Sequence, residues 1–168
     1  MHPRSNLQPA ALLSIATLVA ALCSAPSMSH AYGMSGVGGK LGVTSPENLN
    51  STVMVGGHLE FEESATRLHL MPNLMYWKTE GVSDVNPNFD VYYHFSPEGT
   101  VAPYLGGGVG LNVRNNEATD RSKTNVGANV IGGLRFPGAT NHYFLEGRFT
   151  ASDQSQVALL GGITFHTR

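Results

Sequence analysis

Thiols, tryptophan and charge are all scarce in this chain. There is one cysteine, one tryptophan, and Asp, Glu, Lys and Arg together make up only 13% of 168 residues. The cysteine, Cys23, lies in the N-terminal segment, so the rest of the chain has no thiol with which to build a disulfide framework. The net charge is −2, and no basic cluster marks a nucleic-acid surface. Beyond residue 31 no apolar run approaches the roughly 20 residues of a membrane-spanning helix. Any membrane association of the main body must therefore come from strands.

The N-terminus reads as a targeting segment. Arg4 and the amine give a short positive region, and Ala10 to Leu22 give an apolar stretch too short to span a bilayer. Ser29-His30-Ala31 then offers small residues at the third and first positions before a cleavage point. Residues 1–31 are expected to be a secretory signal peptide, and 32–168 a single domain starting at Tyr32. Cys23 raises a lipoprotein alternative, but Leu22 before it is a poor match to the small residue that lipid attachment needs.

The strongest pattern in the domain is the run from Val101 to Arg114. Val101, Pro103, Leu105, Gly107, Val109, Leu111 and Val113 share one parity, against Ala102, Tyr104, Gly106, Gly108, Gly110, Asn112 and Arg114. A period of two held this long describes a strand, and its length meets the 9–11 residues of a tilted transmembrane strand. As a helix it would carry four glycines, each costing up to about 1 kcal/mol.

The alternation recurs in seven other places. Apolar rows run through Val37–Val43, Val53–Phe61, Leu68–Tyr76, Phe89–Phe95, Val126–Phe136, Tyr143–Phe149 and Val157–Phe165. The links between runs are short and polar, which suits antiparallel neighbours. Three of them (Ser45–Ser51, Thr79–Asn88 and Asn115–Thr124) are longer than those between. That asymmetry is expected of a membrane barrel with long outer loops and short periplasmic turns. The predicted fold class is all-β, an eight-stranded antiparallel up-and-down transmembrane β-barrel.

Two barrels fit such a pattern, and they differ in which face is inside. A soluble, lipocalin-like carrier encloses its apolar rows; a membrane barrel turns them outward. Glycine and histidine crowd the polar face, as a narrow interior requires. The apolar face ends in Phe61, Tyr76, Phe89, Phe95, Phe136, Tyr143, Phe149 and Phe165, as aromatic girdles do. These features favour the membrane version.

The segments Pro103–Val113 (PYLGGGVGLNV), Asn125–Pro137 (NVGANVIGGLRFP), His142–Thr150 (HYFLEGRFT) and Gly161–Phe165 (GGITF) resemble the outer-membrane β-barrel domain family of Gram-negative bacteria. That family groups small eight-stranded barrels similar to OmpA and OmpX. The resemblance covers essentially the whole domain. It implies residence in the bacterial outer membrane, contact with outer-membrane lipid, and insertion by the assembly machinery. It implies little about activity, because such barrels serve as adhesins, anchors and small pores. The chain departs from the family in running past Phe165 to His166-Thr167-Arg168, where a terminal aromatic is usual.

Chemistry is sparse. Lys40, Glu60, Asp90, Arg114, Arg135, Glu146 and Arg148 share the polar face, so they are expected to pair inside the lumen. They form either a static filler or the gate of a small pore. His94-Phe95-Ser96 has the His-x-Ser spacing of lipid A deacylases, yet it falls beside a turn and on the lumen face. His58, His69, His94, His142 and His166 also lie on the polar face, without the close spacing of metal ligands. Asp84, Asp120 and Asp153 form no calcium repeat. Trp77 is either an interfacial anchor or a lumen plug. No catalytic residue, cofactor or metal site is expected. The function read from sequence is that of a structural or surface-interacting outer-membrane barrel, with pore, lipid-modifying enzyme and soluble carrier as alternatives.

Overall fold

A computed structural model describes residues 33–62, 67–95, 100–116, 119 and 121–167. The expected signal peptide of residues 1–31, Cys23 and Ser96 lie outside the described residues. Eight strands follow in order: β1 (Gly33–Pro46), β2 (Thr52–Glu62), β3 (Leu68–Thr79), β4 (Val82–His94), β5 (Ala102–Asn116), β6 (Arg121–Pro137), β7 (Asn141–Ala151) and β8 (Gln156–His166). Each pairs antiparallel with its sequence neighbours, and β1 pairs with β8 to close the barrel. Closure leaves no sheet edge along the wall, which is the condition for strands to cross hydrocarbon. No helix among the described residues is long and apolar enough to span a membrane.

The faces settle the choice between the two barrels. Leu41 and Val109 are 58% exposed and Val126 is 71% exposed, whereas Asp90 and Glu146 are fully buried. Apolar rows therefore look outward and ionised side chains inward, the reverse of a soluble carrier. The chain is a transmembrane-type barrel.

Inward glycines admit the large inward side chains. A Cβ at Gly106 would strike the Tyr92 ring, and one at Gly162 the Phe144 ring. Proline is tolerated where the ladder already breaks. Pro72 sits opposite a gap in the β2–β3 register, and Pro87 opposite a gap between β4 and β5.

Three expectations need correction. The segment Thr79–Asn88 is not a long loop: β3 turns into β4 through Glu80 and Gly81, both at positive φ, and β4 starts at Val82. Its polar composition belongs to a strand whose even residues fill the lumen. With that loop gone, the expected difference in link length between the two ends disappears; the longest connection, residues 95–101, lies at the end holding the termini. The aromatic girdle is also one-sided. Phe61, Phe95, Phe136, Tyr143 and Phe165, joined by Tyr93, cluster towards the terminal end, while Tyr76 and Phe149 lie nearer the opposite, hairpin end. Phe89 pairs with Pro72 and Val109 in mid-wall and belongs to neither girdle.

Candidate functional site

The lumen is filled in three layers, each assembled from several strands. All seven charged residues expected inside are there, but they form separate groups rather than one network.

At the hairpin end, Arg114 on β5 donates through Nε to Asp84 Oδ2 on β4 at 3.1 Å. Asn86 donates to the same carboxylate. The Arg114 guanidinium lies over the Trp77 ring at 5.2 Å. The indole Nε1 donates to Gln156 at 3.1 Å, and Gln156 donates back to Asn86 at 3.1 Å. Trp77 is fully buried among Met54, Met75, Val82, Ala158 and Leu160, so it is a lumen plug and not an interfacial anchor. Asp84 was missed as a lumen residue because its segment read as loop. The signal was present: Val85, Pro87 and Phe89 continue one parity, and Asp84, Asn86 and Asp90 the other.

In the middle layer, Glu146 on β7 is the hub. It accepts from Lys40 Nζ at 3.4 Å, Arg148 Nη2 at 3.1 Å, the Tyr92 hydroxyl at 2.9 Å and the Tyr104 hydroxyl at 3.3 Å. Those donors come from β1, β7, β4 and β5, so the contacts cross the barrel. Arg148 Nη2 also donates to Asp90 at 2.7 Å. Asn73 and Asn129 donate to the remaining lone pairs of Asp90 at 2.7 and 3.0 Å. Two cations face two anions here, and each carboxylate accepts several hydrogen bonds. That is the condition under which buried charges are tolerable. The Tyr92 and Tyr104 rings stack at 5.2 Å and fill the width beside them.

The terminal end holds the third layer. Glu60 on β2 accepts from His69 Nδ1 at 2.7 Å, and Arg135 Nη1 lies 3.8 Å from the same oxygen. His142 Nε2 is 3.4 Å from Glu60 Oε2. On its other side, His142 Nδ1 meets Arg135 Nη2 at 3.0 Å and His166 Nε2 at 3.1 Å. The His69 and His94 rings lie 4.2 Å apart. Register thus gathers His69, His94, His142 and His166 around one carboxylate, which their spacing along the chain does not reveal. His58 stands apart, with Nε2 on the Thr164 hydroxyl at 2.8 Å.

A closed eight-stranded wall with apolar rows outside and self-neutralising polar layers inside defines the class: the fold is that of the small outer-membrane β-barrels. The resemblance to OmpA- and OmpX-like barrels holds at the level of the fold. Among solved structures, Neisserial surface protein A (NspA) superposes with a TM-score of 0.70 at 12% identity, over 81% of this chain and 99% of that one. Ail, the attachment invasion locus protein of Yersinia pestis, gives 0.55 at 11% identity, over 83% and 100%. The outer membrane enzyme PagL gives 0.51 at 16% identity, over 76% and 97%. No known family profile matches the chain, and no curated protein matches it in sequence.

Proposed function

We propose that this chain is a plugged outer-membrane barrel with a structural and surface-contact role, neither a pore nor an enzyme. It is exported with residues 1–31 removed, inserted by the assembly machinery and held by outer-membrane lipid around rows such as Leu41 and Val109. The observation that carries the reading is the hub at Glu146. Four donors from four strands converge on one carboxylate and leave the lumen crossed by side chains.

The terminal end faces the periplasm in this reading, and the hairpin end faces outward. Surface contact falls to β5 and β6, whose pairing continues to Asn116 and Arg121. The ladder of β6 with β7 begins only at Ala128 and Ala151, so Arg121–Gly127 stand beyond it. Exposed Arg121, Ser122, Lys123 and Thr124 occupy that projecting edge.

The enzyme alternative loses support from the position of His94. It is buried, faces the lumen and lies at the terminal end, away from lipid acyl chains. The pore alternative requires Lys40 or Arg148 to exchange partners. Planar-bilayer recordings of the purified protein test both the plug and the gate. A silent membrane at ordinary voltages is expected. Reproducible unitary steps abolished by denaturing the barrel would replace this reading with the pore.

A further inference from the structure

The third layer contains an arrangement that lumen filling does not require. A His94 satisfied as mere filler should have a hydrogen-bond partner on at least one ring nitrogen. It is 2% exposed, and neither Nδ1 nor Nε2 has one. Glu60 Oε2, 1% exposed as a residue, also makes no hydrogen bond. Glu60, His69 and His94 each offer one donor atom, and these atoms all lie within 4.8 Å of one another. A small cavity opens beside them, lined by Glu60, His94, Arg135, His142, Tyr104 and Phe144.

We propose that Glu60, His69 and His94 form a binding site for a divalent transition-metal ion, with zinc as the best match. Two imidazoles and a carboxylate are a borderline-soft donor set, which suits zinc and excludes calcium and magnesium as preferred occupants. Binding gives His94 the partner it lacks.

His142 acts on the site through Glu60. Its Nδ1 accepts from Arg135 Nη2 at 3.0 Å, which places the proton on Nε2, facing Glu60 Oε2 at 3.4 Å. Arg135 is the competing cation. At 3.8 Å from Glu60 Oε1 it neutralises that carboxylate only partly, and its side chain is 14% exposed towards the terminal mouth. Glu62, whose Oε2 lies 3.7 Å from His69 Nδ1 and whose side chain is 47% exposed, provides an acidic approach from the same side. In the orientation proposed above, the site samples periplasmic metal.

The test uses the folded, detergent-solubilised protein and zinc chloride in competition with a chromophoric chelator. One equivalent of zinc should bind, and His94→Ala should weaken it by on the order of a hundredfold, since it removes a direct ligand. Cobalt(II) should give a visible absorption band with the wild type that His94→Ala loses. Heat-modifiable gel mobility reports whether the variant still folds. If it does not, imidazole nitrogen chemical shifts of the wild type decide: zinc should move those of His69 and His94 and leave those of His58. Absence of stoichiometric zinc binding to the wild type overturns the proposal. So does binding that His94→Ala leaves intact, or zinc-induced shifts confined to other histidines.

Discussion

Glu146 is the side chain on which the occluded lumen most depends, and its removal makes a quantitative test. In Glu146→Ala, Lys40 Nζ loses both contacts it makes to this carboxylate, at 3.4 and 3.5 Å, and keeps the Phe144 ring at 5.5 Å. Arg148 keeps Asp90 at 2.7 Å but loses half of its pairing. The Tyr92 and Tyr104 hydroxyls lose a shared acceptor. Breaking a buried ion pair by deleting one partner costs roughly 3–5 kcal/mol, because the other charge stays enclosed. At about 1.4 kcal/mol per factor of ten, the unfolding equilibrium shifts by roughly a hundredfold to a few thousandfold. Glu146→Gln keeps the shape and removes only the charge, leaving two cations facing Asp90 alone. The informative variant is therefore the double one. Lys40→Met with Glu146→Gln restores the charge balance and sets an apolar chain against Phe144. It should recover most of the stability lost by Glu146→Gln. Urea unfolding in lipid vesicles provides the assay. Trp77 is the sole tryptophan and fully buried, so its emission follows loss of the layer above. If the two single-variant penalties simply add within about 0.5 kcal/mol, the residues are uncoupled and the hub argument fails.

Three further outcomes follow from the same reasoning. Leu41→Arg places a charge on the outer wall opposite Val55 and Gly161 and should destabilise the lipid-inserted barrel by about 2–4 kcal/mol; an unchanged urea midpoint would contradict lipid contact there. Ser96→Ala should leave the lipid A mass spectrum of expressing cells unchanged, and loss of a modified species would make His94 and Ser96 catalytic after all. N-terminal sequencing of the protein from the outer-membrane fraction should begin at Tyr32; a start at Cys23 would show lipoprotein processing instead.

The wall was legible because its code has a period of two and because closure demands little else. Parity alone put Leu41, Val109 and Leu159 on one face and Lys40, Asp90 and Glu146 on the other, and the glycine and histidine crowding of the second face together with the aromatic ends of the first said which looks outward. The strand β4 was half lost for a physical reason. A membrane barrel inverts the usual meaning of polarity, so a polar stretch with two asparagines, an aspartate and a proline looks like a loop although it lines a lumen. Recognising Asp84 as an inward residue restores four anions to match the four cations Lys40, Arg114, Arg135 and Arg148. The imbalance of four against three was itself the sign that one inward carboxylate had been overlooked.

The histidine cluster escaped for another reason. Metal-ligand spacing rules apply to donors on one helix or one loop, where separation along the chain measures separation in space. In an antiparallel barrel the relevant coordinate is distance from the turn. Glu60 lies two residues before the end of β2, His69 one residue into β3, His94 at the end of β4, His142 one residue into β7 and His166 at the end of β8. All have inward-facing parity and all stand within two residues of the same rim, so closure makes them neighbours across as many as 106 positions of sequence. Parity chooses the face and distance from the turn chooses the layer. Applied to strand bounds drawn from alternation, those two numbers would have gathered Glu60, His69 and His94 before any coordinates. A functional centre in this kind of fold should accordingly be sought among residues of equal depth, not among residues close in sequence.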